Sequence, residues 1–399
     1  MAGAAIALRA CLREQYQRAF GRPWPVTASA LVIASLNVFL FAFDRPWTVS
    51  DGIRNWGDWL LRLAGFLNQP DLLSPFLQSG SVLNLGLLSG GLASALLSRE
   101  FDIRAAPAAE LLKGALGGLM MGCGAVLSFG CNVGGFFSAL SALSLSGLAM
   151  MVGLAVGAFL ATKYLTWELR AAASPATLSY QSPCDPPPQP SPSSFAFGLQ
   201  PLTGLILFLG LVGAAYFYRW LGYAPQAVFL LFGVGFGVVF QRSRFCLVRA
   251  FREPFLSGES EHARAAALAL TVSMVGFSIL KATDLKDATE WVFPSFWVGA
   301  LLGGSLFGVG MVMAGGCGAG SVWRAGEGHV KLWVAVLFFA LGASAMRLFL
   351  VRADLLRGLG SALFLPEVVG WGGAVWSVVG LMAAWYLLAA WNEQRRRFT

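Results

Sequence analysis

Long apolar stretches separated by short polar segments fill most of this 399-residue chain. Ten of the stretches approach the roughly 20 apolar residues that a helix needs to cross a bilayer. The predicted spans cover residues 25–43, 82–98, 110–128, 147–167, 199–218, 227–241, 263–280, 296–314, 332–349 and 370–391. Only 12% of the residues are charged, about half the fraction of a soluble protein. The pattern therefore predicts an all-α polytopic membrane protein with about ten spans.

Two glycine-rich breaks interrupt this pattern in the same way. The stretch Gly114–Gly135 ends in Gly-Cys-Asn-Val-Gly-Gly, and Ala300–Ser321 ends in Gly-Gly-Cys-Gly-Ala-Gly-Ser. They align at an offset of 186 residues (317 − 131), and nine of the 22 aligned positions are identical. Because each glycine weakens a helix by about 1 kcal/mol relative to alanine, both clusters predict a broken helix and a re-entrant half-helix.

The span count gives the two breaks a geometric relation. With ten spans, the two spans that carry the breaks are the third and the eighth, and they cross the membrane in opposite directions. An internal, inverted repeat with a binding site near the midplane is a common transporter architecture. Glycines four residues apart before each break predict close packing between helices. The sequence thus favours an inverted repeat over a simple bundle.

Charge and proline divide the chain into segments. These are a basic N-terminal segment at the inner surface (1–24), a first membrane half (25–167), a Pro-rich linker (168–198), a second membrane half (199–391) and a basic tail (392–399). Arginine and lysine cluster in the short segments between spans, as they do in cytoplasmic loops. We therefore expect a multi-pass membrane protein with both termini on the cytoplasmic side. The net charge of +8 does not indicate a nucleic-acid partner, because the positive residues cluster in these short segments, where they set the membrane orientation.

The cysteines differ in their predicted roles. Cys131 and Cys317 stand at the two breaks, where a helix restarts. A helix N-terminus carries about +0.5 charge and free N–H groups, which stabilise a thiolate and attract an anion. Cys123 and Cys11 are expected to pack as small apolar residues, and Cys184 lies in the Pro-rich linker.

Several kinds of site are not indicated. Two histidines and no CxxC motif give little basis for a metal or haem site, so no cofactor and no metal is predicted. The chain shows no nucleotide-binding motif and no paired carboxylates, and it is predicted not to be an enzyme. Arg242 and Arg244 are expected to anchor the inner surface. Arg324 and Arg347 are costlier to place, since an arginine within a membrane costs about 3 kcal/mol. Arg347 is therefore expected near an interface or paired. The two arginines either extend to an interface or attract an anion at a vestibule.

These motifs resemble those of the YeeE/YedE sulphur-transport family, in particular its longer YedE-like branch. The resemblance rests on Gly130-Cys131-Asn132, on Leu231–Gly237 with Phe245-Cys246, and on Leu306–Gly310 with Ala314–Cys317. It implies uptake of a small sulfur-containing anion, thiosulfate first, through central cysteines that contact its sulfur transiently. A selenium species, selenite or selenide, is the alternative cargo implied by the YedE-like branch. The predicted relay and binding residues are Cys131, Cys246, Cys317, Gly130, Asn132, Gly134, Gly316 and Gly318.

Two other functions are weighed against transport. A membrane thiol redox enzyme needs two cysteines within about 6 Å of each other, measured between Cα atoms. Cys123 and Cys131 are too far apart on one helix, and pairing of Cys131 with Cys317 across the repeats is the alternative left open. A purely structural membrane protein explains the apolar stretches but not the repeated Gly-Cys breaks. The predicted partners are a small sulfur or selenium anion and the lipid bilayer, with a cytoplasmic sulfur-carrier protein as a further candidate.

Overall fold

The computed structural model describes residues 11, 14–67, 70–172 and 194–395. Apart from three isolated β-bridges, the regular structure of these residues is helical. The helices are α1 (Val26–Phe43), α2 (Ser50–Leu63), α3 (Ser79–Leu97), α4 (Ala108–Leu127), a π-helix (Asn132–Ser138) that continues as α5 (Ala139–Ser141), α6 (Leu145–Ala172), α7 (Ser194–Trp220), α8 (Ala224–Ser243), α9 (Leu247–Leu256), α10 (Glu261–Ala282), α11 (Val298–Ala314), α12 (Gly318–Gly326), α13 (Val330–Arg352), a 3₁₀ turn (Leu356–Leu359) and α14 (Leu365–Arg395).

The predicted all-α membrane fold is confirmed. Ten segments among the described residues are long and apolar enough to cross a bilayer, and each contains most or all of one predicted span. Four short helices, called here the half-helices, interrupt this series: α2, the π-helix, α9 and α12. Glycine accounts for two of them, because each Gly-Cys cluster ends one helix and a new helix starts directly after the cysteine.

The packing of the helices follows the predicted repeat. Helix α4 of the first half packs against α13 of the second half, and α6 of the first half packs against α11 of the second. The fourth helix of each half therefore packs against the last helix of the other half. In the same way α1 packs against α10, and α3 packs against α8. Helices α1 and α8 are the first of their halves, and α3 and α10 are the third. Because each pairing occurs in both directions, the halves are related by a two-fold operation. Helices α7 and α14 stand outside this scheme.

Glycine contacts between α4 and α11 show that the repeat is inverted. A methyl group on Gly117 would lie 2.6 Å from the carbonyl oxygen of Gly310, and one on Gly124 would lie 2.6 Å from that of Gly303. The contacts run in opposite order along the two helices, so α4 and α11 are antiparallel. They are also equivalent by sequence, because the 186-residue offset relates Gly117 to Gly303 and Gly124 to Gly310. Equivalent helices that run in opposite directions are the signature of an inverted repeat.

The ends of the bundle are distinguished by their contacts. At the end called here the terminal face, the Trp24 amide donates to the Arg242 carbonyl and the Asn392 amide donates to the Pro254 carbonyl. The other end, called the opposite face, carries the 3₁₀ turn and the loop between α10 and α11. Most of the predicted linker, residues 173–193, and the last residues of the basic tail, 396–399, lie outside the described residues. Helices α6 and α7 extend into the two ends of that linker.

Candidate functional site

Each of three half-helices begins directly after a cysteine. Cys131 precedes the π-helix, Cys317 precedes α12 and Cys246 precedes α9. Cys131 and Cys317 have nearly the same backbone conformation, with φ −76° and ψ −178° in one and φ −81° and ψ −177° in the other. All three side chains are buried and carry free thiols. The repeat thus brings thiols to the positive ends of short helices, which is where an anion is stabilised.

The three thiols meet around the first turn of α12. A methyl group on Gly320 would lie 3.2 Å from the sulfur of Cys317 and 3.3 Å from that of Cys246. A methyl group on Gly318 would lie 3.6 Å from the sulfur of Cys131. The Gly320 amide donates to the Cys317 sulfur at 3.3 Å. Glycine on this turn therefore lets the three sulfur atoms approach one another at the centre of the repeat.

The other predicted glycines hold backbone segments together. A side chain on Gly130 would begin 2.4 Å from the backbone nitrogen of Gly135, and one on Gly316 would begin 2.9 Å from the Ser321 hydroxyl. Gly134 faces Thr48, whose hydroxyl oxygen lies 2.6 Å from the place a methyl group would take. These glycines pack against protein atoms, so their contribution to binding stays a prediction. Their observed contribution is to let the chain turn beside the cysteines.

Asn132 supplies a polar group to the same region. Its side chain is fully buried and lies beside the Cys317 thiol. Neither its amide nitrogen nor its amide oxygen makes a hydrogen bond of normal geometry within the described residues. Because a buried polar group without a partner costs free energy, an unpaired amide next to two thiols is typical of a site that receives a polar ligand.

Two hydroxyl groups complete the site from the fourth half-helix. The Cys131 amide donates to the Ser50 hydroxyl oxygen at 3.1 Å, and that oxygen lies 3.5 Å from the Thr48 hydroxyl. Thr48 and Ser50 are not among the predicted site residues. Residues 44–81 are mixed in charge and rich in tryptophan, which is typical of an interfacial loop or short helix. The short amphipathic run that starts at Ser50 was the available signal for a half-helix.

An arginine-lined cavity opens beside these hydroxyls on the opposite face. Its volume is about 130 Å³, and its lining includes Thr48, Ser50, Arg45, Arg54 and Arg347. A wider cavity of about 420 Å³ shares Arg54 and Arg347 with it. Arg45 and Arg54 pair with carboxylates, whereas Arg347 makes no ion pair with the described residues. The expected interfacial position of Arg347 stays a prediction, but an unpaired guanidinium in a cavity attracts anions.

The terminal face carries a different arrangement of charge. Arg244 contacts two carboxylates at 2.7 Å, those of Glu100 and the fully buried Glu327. Arg242 contacts Glu100 at 3.4 Å, and its side chain is 1% exposed. The expectation of a surface anchor is therefore wrong for Arg242, whose side chain is buried, whereas Arg244 is 36% exposed and its expected role stays a prediction. Of the two carboxylates only Glu327 is buried, and Arg244 supplies it with a partner, since a charge buried without a partner is costly.

Two more basic residues lie close to this network. Arg324 donates to the Gly315 carbonyl at 2.9 Å, so it stays with the second break. His329 lies 3.7 Å from the Glu327 carboxylate, but burial and the positive charges of Arg324 and Arg104 lower the pKa of His329 to about 4. The imidazole is therefore neutral at physiological pH, and the terminal-face network consists of arginines and carboxylates.

The remaining cysteines lie away from the three thiols. Cys123 is half-buried, and its sulfur lies 3.8 Å from the Gly342 carbonyl oxygen, a packing contact between α4 and α13. Cys11 is exposed near the N-terminus, and Cys184 lies outside the described residues. The expected roles of Cys123 and Cys11 as apolar packing residues remain predictions.

Most of the chain matches one protein family by sequence. A family model described as sulphur transport matches residues 6–160 and 242–399. The chain belongs to this family. It is 26% identical to the probable transporter YedE of Escherichia coli (strain K12) over 81% of the chain and 80% of that protein. It is 40% identical to the thiosulfate transporter TsuA of Spirochaeta thermophila over 30% of the chain and 35% of that protein, and 36% identical to TsuA of Escherichia coli (strain K12) over 30% of the chain and 33% of that protein.

Membership of the family fixes the broad class of the protein. It is a multi-pass membrane transporter of the sulphur transport family and not an enzyme. Residues 161–241 fall outside the family match. They include the end of α6, the linker, α7 and most of α8, whereas all three half-helices that begin after a cysteine lie within it.

Proposed function

We propose that this protein takes up thiosulfate across the bacterial inner membrane along a path through its three central cysteines. The observation that carries the proposal is the meeting of Cys131, Cys246 and Cys317 at the starts of three half-helices. The path begins at the arginine-lined cavity of the opposite face, passes Ser50 and reaches Cys131. It continues past Cys317 and Cys246 toward the terminal face, which we assign to the cytoplasm because of its arginine-rich loops.

The chemistry of the thiols suits a sulfur-terminated anion. An S–H group is a weak hydrogen-bond donor, and the terminal sulfur of thiosulfate is a soft acceptor, whereas sulfate offers oxygen alone. Weak contacts with successive thiols let the anion leave each position as easily as it arrives. The helix N-termini compensate its charge without a fixed counter-ion. A selenium species is the alternative cargo, because selenium is soft in the same sense, and a cytoplasmic sulfur-carrier protein is a candidate acceptor at the terminal face.

Uptake by purified protein in liposomes tests the proposal. We expect labelled thiosulfate to enter the liposomes, and Cys131→Ala and Cys317→Ala each to lower the initial rate at least about tenfold, the effect of losing roughly 1.4 kcal/mol at a barrier. Cys123→Ala is the matched control, because it also removes a thiol from a membrane span but lies outside the site. Parallel assays with sulfite, sulfide and selenite compare the alternative cargoes. Wild-type uptake equal to that of protein-free liposomes, or full activity of Cys131→Ala, would contradict the proposal.

A further inference from the structure

The inverted repeat is chemically unequal at one position. Gly134 and Gly320 are equivalent by the 186-residue offset. Gly320 is covered by the sulfur of Cys246 at 3.3 Å, whereas Gly134 is covered by the hydroxyl of Thr48 at 2.6 Å, both measured from the place of a methyl group. Thr48 therefore takes in the first half the place that Cys246 takes in the second. One half offers two thiols at this place, and the other offers a hydroxyl.

The hydroxyl side faces the open cavity. Thr48 and Ser50 both line it, together with three arginines. Thr48 is 4% exposed, and its hydroxyl lies 3.5 Å from that of Ser50, which in turn accepts from the amide of Cys131. The two hydroxyls therefore line the cavity where it adjoins Cys131, on the route proposed for the anion. Hydroxyl and guanidinium groups are hard donors that bind oxygen atoms, unlike the thiols beyond them.

We propose that the Thr48–Ser50 hydroxyl pair is the specificity determinant for the oxygen end of the transported anion. The pair holds the oxygens at the cavity floor while the terminal sulfur reaches Cys131. Only an anion with both a hard oxygen end and a soft end satisfies the two parts of the path together. Sulfate lacks the soft end and hydrosulfide lacks the oxygens, so each is disfavoured at a different step. This inference rests on the proposed function and names the residues that select its substrate class.

Competition measurements on variants test the inference. Uptake of labelled thiosulfate is measured against unlabelled hydrosulfide and sulfate in wild type, Thr48→Val, Ser50→Ala and Thr48→Ser. Losing a hydrogen bond to a charged ligand weakens binding by roughly tenfold or more, so we expect Thr48→Val and Ser50→Ala to lower the preference for thiosulfate over hydrosulfide about tenfold. Thr48→Ser keeps the hydroxyl and should keep the preference. Thr162→Val is the control, because it removes a buried hydroxyl that bonds within α6.

A second readout separates this inference from the proposed function. An anionic alkylthiosulfonate reagent added from the opposite face labels Cys131, and mass spectrometry gives the rate. We expect thiosulfate and sulfate to slow the labelling in wild type but not in Thr48→Val, whether or not the protein transports thiosulfate. Equal protection in wild type and Thr48→Val, or an unchanged anion preference in both Thr48→Val and Ser50→Ala, would overturn the inference. Absence of thiosulfate uptake by wild type with protection intact would overturn the proposed function alone.

Discussion

The two halves of the molecule share a scaffold but differ at their ends. In the first half, Thr48 and Ser50 lie on the floor of a cavity with three arginines. In the second half, Cys246 and Cys317 lie together, and Arg244 nearby is neutralised by Glu100 and Glu327. Symmetry thus fixes where the half-helices meet, while the side chains decide what each end can bind. On the path proposed above, the first half would form an entrance with hard donors and the second half an exit with soft ones.

The ion pairs sharpen this difference between the ends. At the terminal face the Glu327 side chain is fully buried and its partner Arg244 is 36% exposed, whereas Arg45 and Asp51 near the opposite face are 22% and 21% exposed. Burial in protein makes a charge more dependent on its partner than exposure to water does. The terminal-face pair should therefore contribute more to holding the structure in its observed state.

Removing one arginine from each end gives the largest expected contrast. Arg244→Ala leaves Glu327 without its guanidinium partner and should lower the free energy of unfolding by about 3–5 kcal/mol. Arg45→Ala removes a half-buried pair and should cost about 1 kcal/mol. Thermal unfolding in detergent measures both. The double variant Arg244→Ala/Glu327→Gln removes both charges, so it should be more stable than Arg244→Ala. Equal losses for Arg244→Ala and Arg45→Ala would contradict the difference between the ends.

Alanine substitutions at equivalent glycines test whether the helices of the two halves pack equally closely. A methyl group on Gly118 would lie 2.2 Å from the Ala335 carbonyl oxygen, and one on the equivalent Gly304 would lie 2.7 Å from that of Met150. Both alanine variants should destabilise the protein by about 1–3 kcal/mol, because overpacking forces backbones apart, and Gly118→Ala should cost more. Gly380→Ala is the control, since nothing lies within 4 Å of its methyl group and alanine should strengthen α14. A neutral effect at both Gly118 and Gly304 would show that the helices do not approach so closely.

Much of the fold follows from local sequence. Apolar length predicts the ten spans, and clustered glycine predicts the breaks before Cys131 and Cys317, because both signals act within a few residues of the chain. The span count also predicts the inversion, because it places the two motifs on the third and eighth spans. These features depend on hydrophobic transfer and helix propensity, and both can be estimated from the residues of a single segment.

The polar half of the site depends on contacts that are distant in sequence. The half-helix α2 reads as an interfacial segment, and it becomes part of the centre only because it packs against α13 and α3. Arg244 and Glu100 are 144 residues apart, so no local pattern relates them. The positions of Thr48 and Ser50 opposite the thiols require the two-fold relation in three dimensions, which hydrophobic periodicity does not contain.

Of the predicted changes in stability, the one caused by pH should be the smallest, and it should arise at the terminal face. Burial and neighbouring arginines lower the pKa of His329 from 6.5 to about 4, so the unfolded chain binds more protons than the folded protein between these values. Stability is therefore complete above pH 6.5 and falls as the pH decreases toward 4, by about 1 kcal/mol at pH 5.5. In His329→Gln the fall in melting temperature between pH 7 and pH 5.5 should be smaller than in wild type. An identical pH profile for the two proteins would mean that the imidazole is not held neutral beside Glu327. The terminal face would then be more accessible to water than the burial of Glu327 indicates.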